Sequence, residues 1–148
     1  MEINIALLLK QLFLSLEQYA RKQMKDFNIS PSQGLALNYL FSQKDRTVYA
    51  TDLHAQFGIS KSAVSSTLKG LKKKGYLQMI STPEDDRKKQ ITLTAKAYAI
   101  KKQMDTSFVQ LQNRLCQGIS PENLEKLENE LTIMLQNMRQ QTIRREPA

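Results

Sequence analysis

The stretch from Gly58 to Thr94 narrows what this chain can fold into more than any other. It opens Gly58-Ile59-Ser60-Lys61-Ser62-Ala63-Val64-Ser65-Ser66-Thr67-Leu68-Lys69-Gly70-Leu71-Lys72-Lys73-Lys74-Gly75. Gly58 stops a short helix from Tyr49 to Phe57, Ser60 caps the next, and Gly75 stops that one. Helix, glycine turn, helix is the helix-turn-helix pattern. At about 100° of rotation per residue, Val64, Leu68 and Leu71 share one side of the second helix, flanked by Thr67. Ser62, Ser66, Lys69 and Lys73 point the opposite way, with Ser65 beside them. No acidic residue occurs from Ser60 to Gly75. A solvated face and the helix dipole explain lysines near the C-terminal end. They do not explain small hydroxyl residues opposite the core, which cost helix propensity but let a helix lie close in a groove. Strands over Tyr76–Ile80 and Gln90–Leu93 are predicted next, joined by the charged turn Pro83-Glu84-Asp85-Asp86-Arg87-Lys88-Lys89. A helix beside a charged β-ribbon can meet the groove and backbone of duplex DNA together.

Charge supports that direction. The formal net charge of the 148-residue chain is +8, and its clustering points to a polyanionic partner. Cys116 is the only cysteine, which excludes an intrachain disulfide and a cysteine-based zinc cluster, and suits a reducing cytoplasm. Its place beside Leu115 on an apolar helix predicts an inert, buried thiol. His54 is the only histidine and reads as a surface or packing residue. A metal sensor would carry a cluster of ligands, so no metal and no cofactor is expected. The N-terminal apolar run lacks the features of a signal peptide and falls short of the ~20 apolar residues that span a membrane. Gly-rich phosphate loops, nucleophile elbows and metal-ligand spacings are missing, which argues against an enzyme.

The flanks read as helices. Ile5, Leu8, Leu9, Leu12, Phe13, Leu16, Tyr19, Ala20 and Met24 fall at helical spacing before about Phe27, and Leu7 and Leu14 widen the stripe beyond one face. A helix apolar on more than one side needs two partners, and a second subunit can be one. Ser30-Pro31-Ser32-Gln33 is a capped start with proline at the first helical position. That helix runs through Leu37, Leu40 and Phe41. Asp45-Arg46 is a turn and Thr47-Val48 a short strand. Beyond the ribbon, Thr94 caps a helix carrying Ile100, Met104, Phe108, Leu111 and Leu115. Gln117-Gly118 breaks it, and Ser120-Pro121 opens the last. There Leu124, Leu127, Leu131, Met134 and Met138 alternate steps of three and four, a helix-on-helix seam. Both ends of the chain thus predict a helical dimer interface.

These residues resemble the MarR family of bacterial winged-helix transcriptional regulators over nearly the full length. The matches are Ser30-Pro31-Ser32-Gln33 with Leu37 and Leu40, Asp52-Leu53, Phe57 to Ser65, and Leu71 to Leu77. The most specific is the wing pattern Asp85-Asp86-Arg87 followed by Leu93-Thr94, and Ile119-Ser120-Pro121-Glu122 resembles the family's lead into its last helix. Ala97 stands where the family often has glycine. The resemblance implies a mainly α (α+β) fold: residues 1–29 a dimerisation helix, 30–94 a winged helix-turn-helix domain, 95–148 helices completing the dimerisation domain. It implies a cytoplasmic, nucleoid-associated homodimer, a repressor on a pseudo-palindromic operator, released by a small aromatic or amphipathic effector between the dimer helices and the DNA lobes. By the same analogy Arg87 enters the minor groove and Asp85 holds the wing or its arginine.

On physical grounds Lys61, Lys69, Lys72, Lys73, Lys88 and Lys89 supply phosphate contacts, which set affinity and salt dependence. Ser62, Ser65, Ser66 and Lys69 face base edges. With no Asn, Gln or Arg on the helix's outer face, discrimination leans on Arg87, on DNA shape and on half-site spacing. Tyr19, Tyr39 and Phe41 are candidate walls of an effector pocket, or else core aromatics. The rival readings are a nonspecific nucleoid protein and a winged helix used only for protein contact. Asp85-Asp86 as the site of a metal-dependent nuclease would need a third ligand.

Overall fold

A computed structural model describes the backbone of residues 2–144 and their side chains, except those of Thr82, Asp85, Asp86, Arg87 and residues 141–144. The element order is α1 (Ile5–Met24), a 3-10 turn (Lys25–Phe27), α2 (Pro31–Ser42), β1 (Val48–Tyr49), α3 (Ala50–Phe57), α4 (Lys61–Lys73), β2 (Leu77–Thr82), β3 (Asp85–Leu93), α5 (Ala95–Leu115) and α6 (Pro121–Arg144). The chain divides into two compact units, one ending at Leu111 and the other starting at Gln112.

Local chemistry sets most boundaries. At α2, Ser30 Oγ accepts from the Gln33 N–H at 3.2 Å, and Gln33 Oε1 accepts from the Ser30 N–H at 3.1 Å, a closed capping box. Gly58, at φ 65°, ends α3. Ser60 Oγ accepts from the Ala63 N–H at 3.1 Å to start α4. At the other end of α4, Gly75 takes φ 85°. There the Gly75 N–H donates to Lys72 O at 3.0 Å and the Tyr76 N–H to Leu71 O at 3.0 Å. Those two bonds around a left-handed residue are the Schellman stop, which favours glycine because a Cβ is strained there.

The sheet is antiparallel with order β1-β3-β2. Val48 pairs with Ile91, and Ile91 in turn with Met79. The hairpin is longer than its hydrophobic pattern predicts. β3 begins at Asp85 and pairs with Thr82, after a register shift between Ser81 and Thr82. Only Pro83-Glu84 is left to turn the chain, and most of the predicted charged turn is strand. Exposed Lys88 and Lys89 extend the ladder without an apolar face. Backbone pairing holds that part together, and hydrophobic periodicity does not report it.

The core of the first unit gathers Leu37, Leu53, Leu68, Leu71, Leu77 and Met104, all at 2 % exposure or less. Burying a side chain of this size is worth roughly 1.5–3 kcal/mol relative to leaving it in water. Val64, Leu68 and Leu71 are the buried positions of α4, as the rotation argument predicts. Ala97 is fully buried. Among the described residues no polar or charged one is buried. Met24 is the buried residue of α1. Its Ile5, Leu7, Leu8, Leu9, Leu12, Phe13 and Leu14 lie exposed. In the second unit Leu127, Leu131 and Met138 of α6 are exposed as well. No described helix is long and apolar enough to cross a membrane.

Cys116 departs from the expected burial. It is half-buried, with Gln112 Nε2 3.6 Å from its Sγ. The reason is that α5 ends at Leu115, so Cys116 lies in the turn beyond the helix and not on its apolar stripe.

Candidate nucleic-acid interface

The outer face of α4 is built by the burial of its inner one. Because Val64, Leu68 and Leu71 are fixed in the core, Lys61, Ser62, Ser65, Ser66, Lys69, Lys72 and Lys73 face solvent. Ser62 Oγ lies 3.2 Å from Ser60 Oγ, so its hydroxyl is partly engaged with the cap. The ion pairs among the described residues are Arg46–Asp52, Lys101–Asp105 and Lys126–Glu122. None of these pairs among the described residues involves α4.

Lys74 behaves differently from its two neighbours. It is half-buried and donates to Gln33 Oε1 at 2.8 Å. The run of three lysines therefore divides into two outward cations and one inward tether, which the sequence pattern alone does not reveal.

A concavity of 230 Å³ between α3, α4 and the hairpin joins the two halves of the site. It is lined by Lys61, Ser65 and Lys69 of α4, Lys89 of β3, and Thr51 and His54 of α3. Three lysines converge there with no carboxylate among the described lining residues, an arrangement that attracts anionic oxygens. Thr51 and His54 are additions to the sequence reading. Their signal was the spacing of three along α3, hidden because nothing in the sequence identifies which face of so short a helix meets α4. The His54 imidazole Nδ1 donates to the Ile59 carbonyl and so ties α3 to the turn before α4. Lys88 Nζ lies 5.7 Å from the ring centroid of Tyr49. The side chains of Asp85 and Arg87 lie outside the described residues. Their backbone is in β3 beside the tip of the hairpin.

The three candidate pocket aromatics are not brought together. Tyr19 lines a 200 Å³ cavity walled by Phe13, Leu16 and Met24 of α1, Pro31, Gly34 and Leu35 of α2, and Phe108 and Leu111 of α5. Tyr39 instead packs edge-on against Phe57, with centroids 5.7 Å apart. Phe41 is buried at 4 % exposure, with Lys101 Nζ 5.7 Å from its ring. Among the described residues, no group of three His, Cys, Asp or Glu side chains is placed to hold a metal ion.

Comparison with known proteins matches this geometry. Residues 27–88 match the sequence profile of the MarR family. The HTH-type transcriptional regulator BilQ of Clostridioides difficile (strain CD3) is 22% identical over 116 residues, covering 78% of this chain and 77% of BilQ. The crystal structure of the S. aureus MepR–DNA complex superposes with a TM-score of 0.85 at 24% identity, covering 92% of this chain and 99% of MepR. The transcription regulator MarR from Oenococcus oeni PSU-1 superposes at 0.78 with 23% identity, covering 90% and 99%. With its helix-turn-helix, hairpin and flanking helices, the chain shares the fold of MepR and of the Oenococcus MarR, and its residues 27–88 are similar to the MarR family.

Proposed function

We propose that the protein is a homodimeric repressor that binds a pseudo-palindromic operator in duplex DNA and is released by a small amphipathic ligand. The observation that carries this reading is the acid-free outer face of α4 continuing, through the lysine-lined concavity, onto the hairpin. Lysines at 61, 69, 72, 73, 88 and 89 contact phosphates, and Ser62, Ser65 and Ser66 face base edges. Arg87 enters the minor groove and Asp85 holds it. The relative crystallised with DNA, MepR, has the same fold and supports the assignment of the reading surface.

Two further features support the remainder. The exposed leucines of α1 and α6 are the apolar surface a second copy would cover. Residues 1–29 and 95–148 then serve dimerisation, and 30–94 serve DNA. The cavity beside Tyr19 is apolar and lies against α2, which packs on α4. A ligand that prefers the non-binding arrangement would shift the population away from DNA.

The test is selection from a random-sequence duplex library. A palindromic sequence should be enriched, and Arg87→Ala should bind that duplex about tenfold more weakly while remaining a dimer. Equal affinity for all duplexes would favour the nonspecific nucleoid reading, to which the serine-rich face of α4 lends some support. No salt-dependent binding at all would favour a winged helix used for protein contact.

A further inference from the structure

Gln33 does more than close a capping box. Its Oε1 accepts from the Ser30 N–H at 3.1 Å and also from Lys74 Nζ at 2.8 Å, a residue 41 positions away. The second bond is charge-assisted and crosses from the first turn of α2 to Lys74, the residue that caps the C-terminal end of α4. The approach between the two helices is close. A Cβ added at Gly70 would lie 2.5 Å from Gln33 Nε2. Gly70 and Lys74 are four residues apart, so they form one ledge on the same helical face. The amide of Gln33 sits on that ledge. The same end of α4 is held from α5, where Lys96 Nζ donates to Lys74 O at 2.5 Å.

We propose that Gln33 is a positioning residue for DNA binding: it fixes the rotation and depth of α4 through Gly70 and Lys74, without touching DNA. This rests on α4 being the helix that faces DNA. The outer serines can meet a base edge only if the helix axis is set to within a fraction of a hydrogen-bond length, and the contact across Gly70 sets it.

Affinity for the duplex that the wild type enriches, and hydrogen exchange of the Gly70–Lys74 amides, test this together. Gln33→Ala should weaken binding about tenfold, as loss of a bond to a charged group does, with an unchanged salt slope and faster exchange. Gln33→Glu keeps both acceptor roles and should bind within about twofold of wild type. Gly70→Ala should also weaken binding, because its methyl displaces the amide, although alanine favours the helix. That combination, a helix no less stable and a weaker complex, is not expected of a purely structural role. Lys74→Met should weaken binding alone and add nothing in the Gln33→Ala background. Wild-type affinity in Gln33→Ala or Gly70→Ala, or additive losses in the double variant, would overturn the proposal. If the library yields no enriched duplex, the sequence-specific reading fails, and the exchange rates still decide whether Gln33 clamps α4.

Discussion

Tyr76 illustrates how a single residue ties the end of α4 to the rest of the first unit. It is 3 % exposed, and its hydroxyl donates to the Phe27 carbonyl at 2.9 Å. Lys96 Nζ lies 4.6 Å from its ring centroid. Burial raises its pKa above the ordinary 10.0, because the phenolate is disfavoured away from water. The folded state therefore holds the proton to higher pH than the unfolded state. The corresponding stability is present below the unfolded value and is lost as pH rises through the raised folded value. Urea unfolding of the wild type should weaken across that alkaline window. Tyr76→Phe should remove this part of the slope and cost about 1 kcal/mol at neutral pH through the lost bond. At this scale, what is local is legible in the sequence. Ser30 and Gln33 announce their capping box because both partners lie within one turn. Lys74 does not announce its tether, because its partner is remote and the three lysines are chemically identical.

At the scale of elements, α4 was readable because one face is apolar and the glycine stops at each end have a single sensible use. The hairpin was less so. Its outer half has no buried face, so the alternation that marks a strand is missing, and charged residues there read as turn. Cys116 was misplaced for a similar reason, since the helix was carried one residue past Leu115 on pattern alone. The Tyr19 cavity was equally hidden, because its walls are completed by α5, far in sequence from α1 and α2. The division of labour on α4 makes a measurable claim. Lys69→Gln together with Lys73→Gln should lower the slope of log Kd against log salt by about 1.8, the value for two phosphate contacts. Fluorescence anisotropy across a salt series would measure it. The preference for the selected duplex over random sequence should change far less, since phosphate contacts carry no sequence information.

For the whole molecule, the exposed leucines of α1 are the feature the isolated chain leaves unsatisfied. Leu8 is 61 % and Leu12 40 % exposed. Neither supports the core around Leu37 and Leu68, so charges there should leave the fold of the first unit intact. Leu8→Glu combined with Leu12→Glu should give a monomer by sedimentation velocity with unchanged far-ultraviolet dichroism. Affinity for a palindromic duplex should fall by more than about tenfold, as two half-sites are no longer held together. Retention of the dimer would move the interface away from α1. The serine face of α4 has a separate consequence, for descent. Ser65 and Ser66 are exposed and contribute nothing to the core, so exchanging either for Asn, Gln or Arg costs the fold little. Each exchange would add a bidentate partner for a particular base. Duplicated copies of such a gene can therefore acquire new targets by one or two substitutions on a helix whose packing never changes.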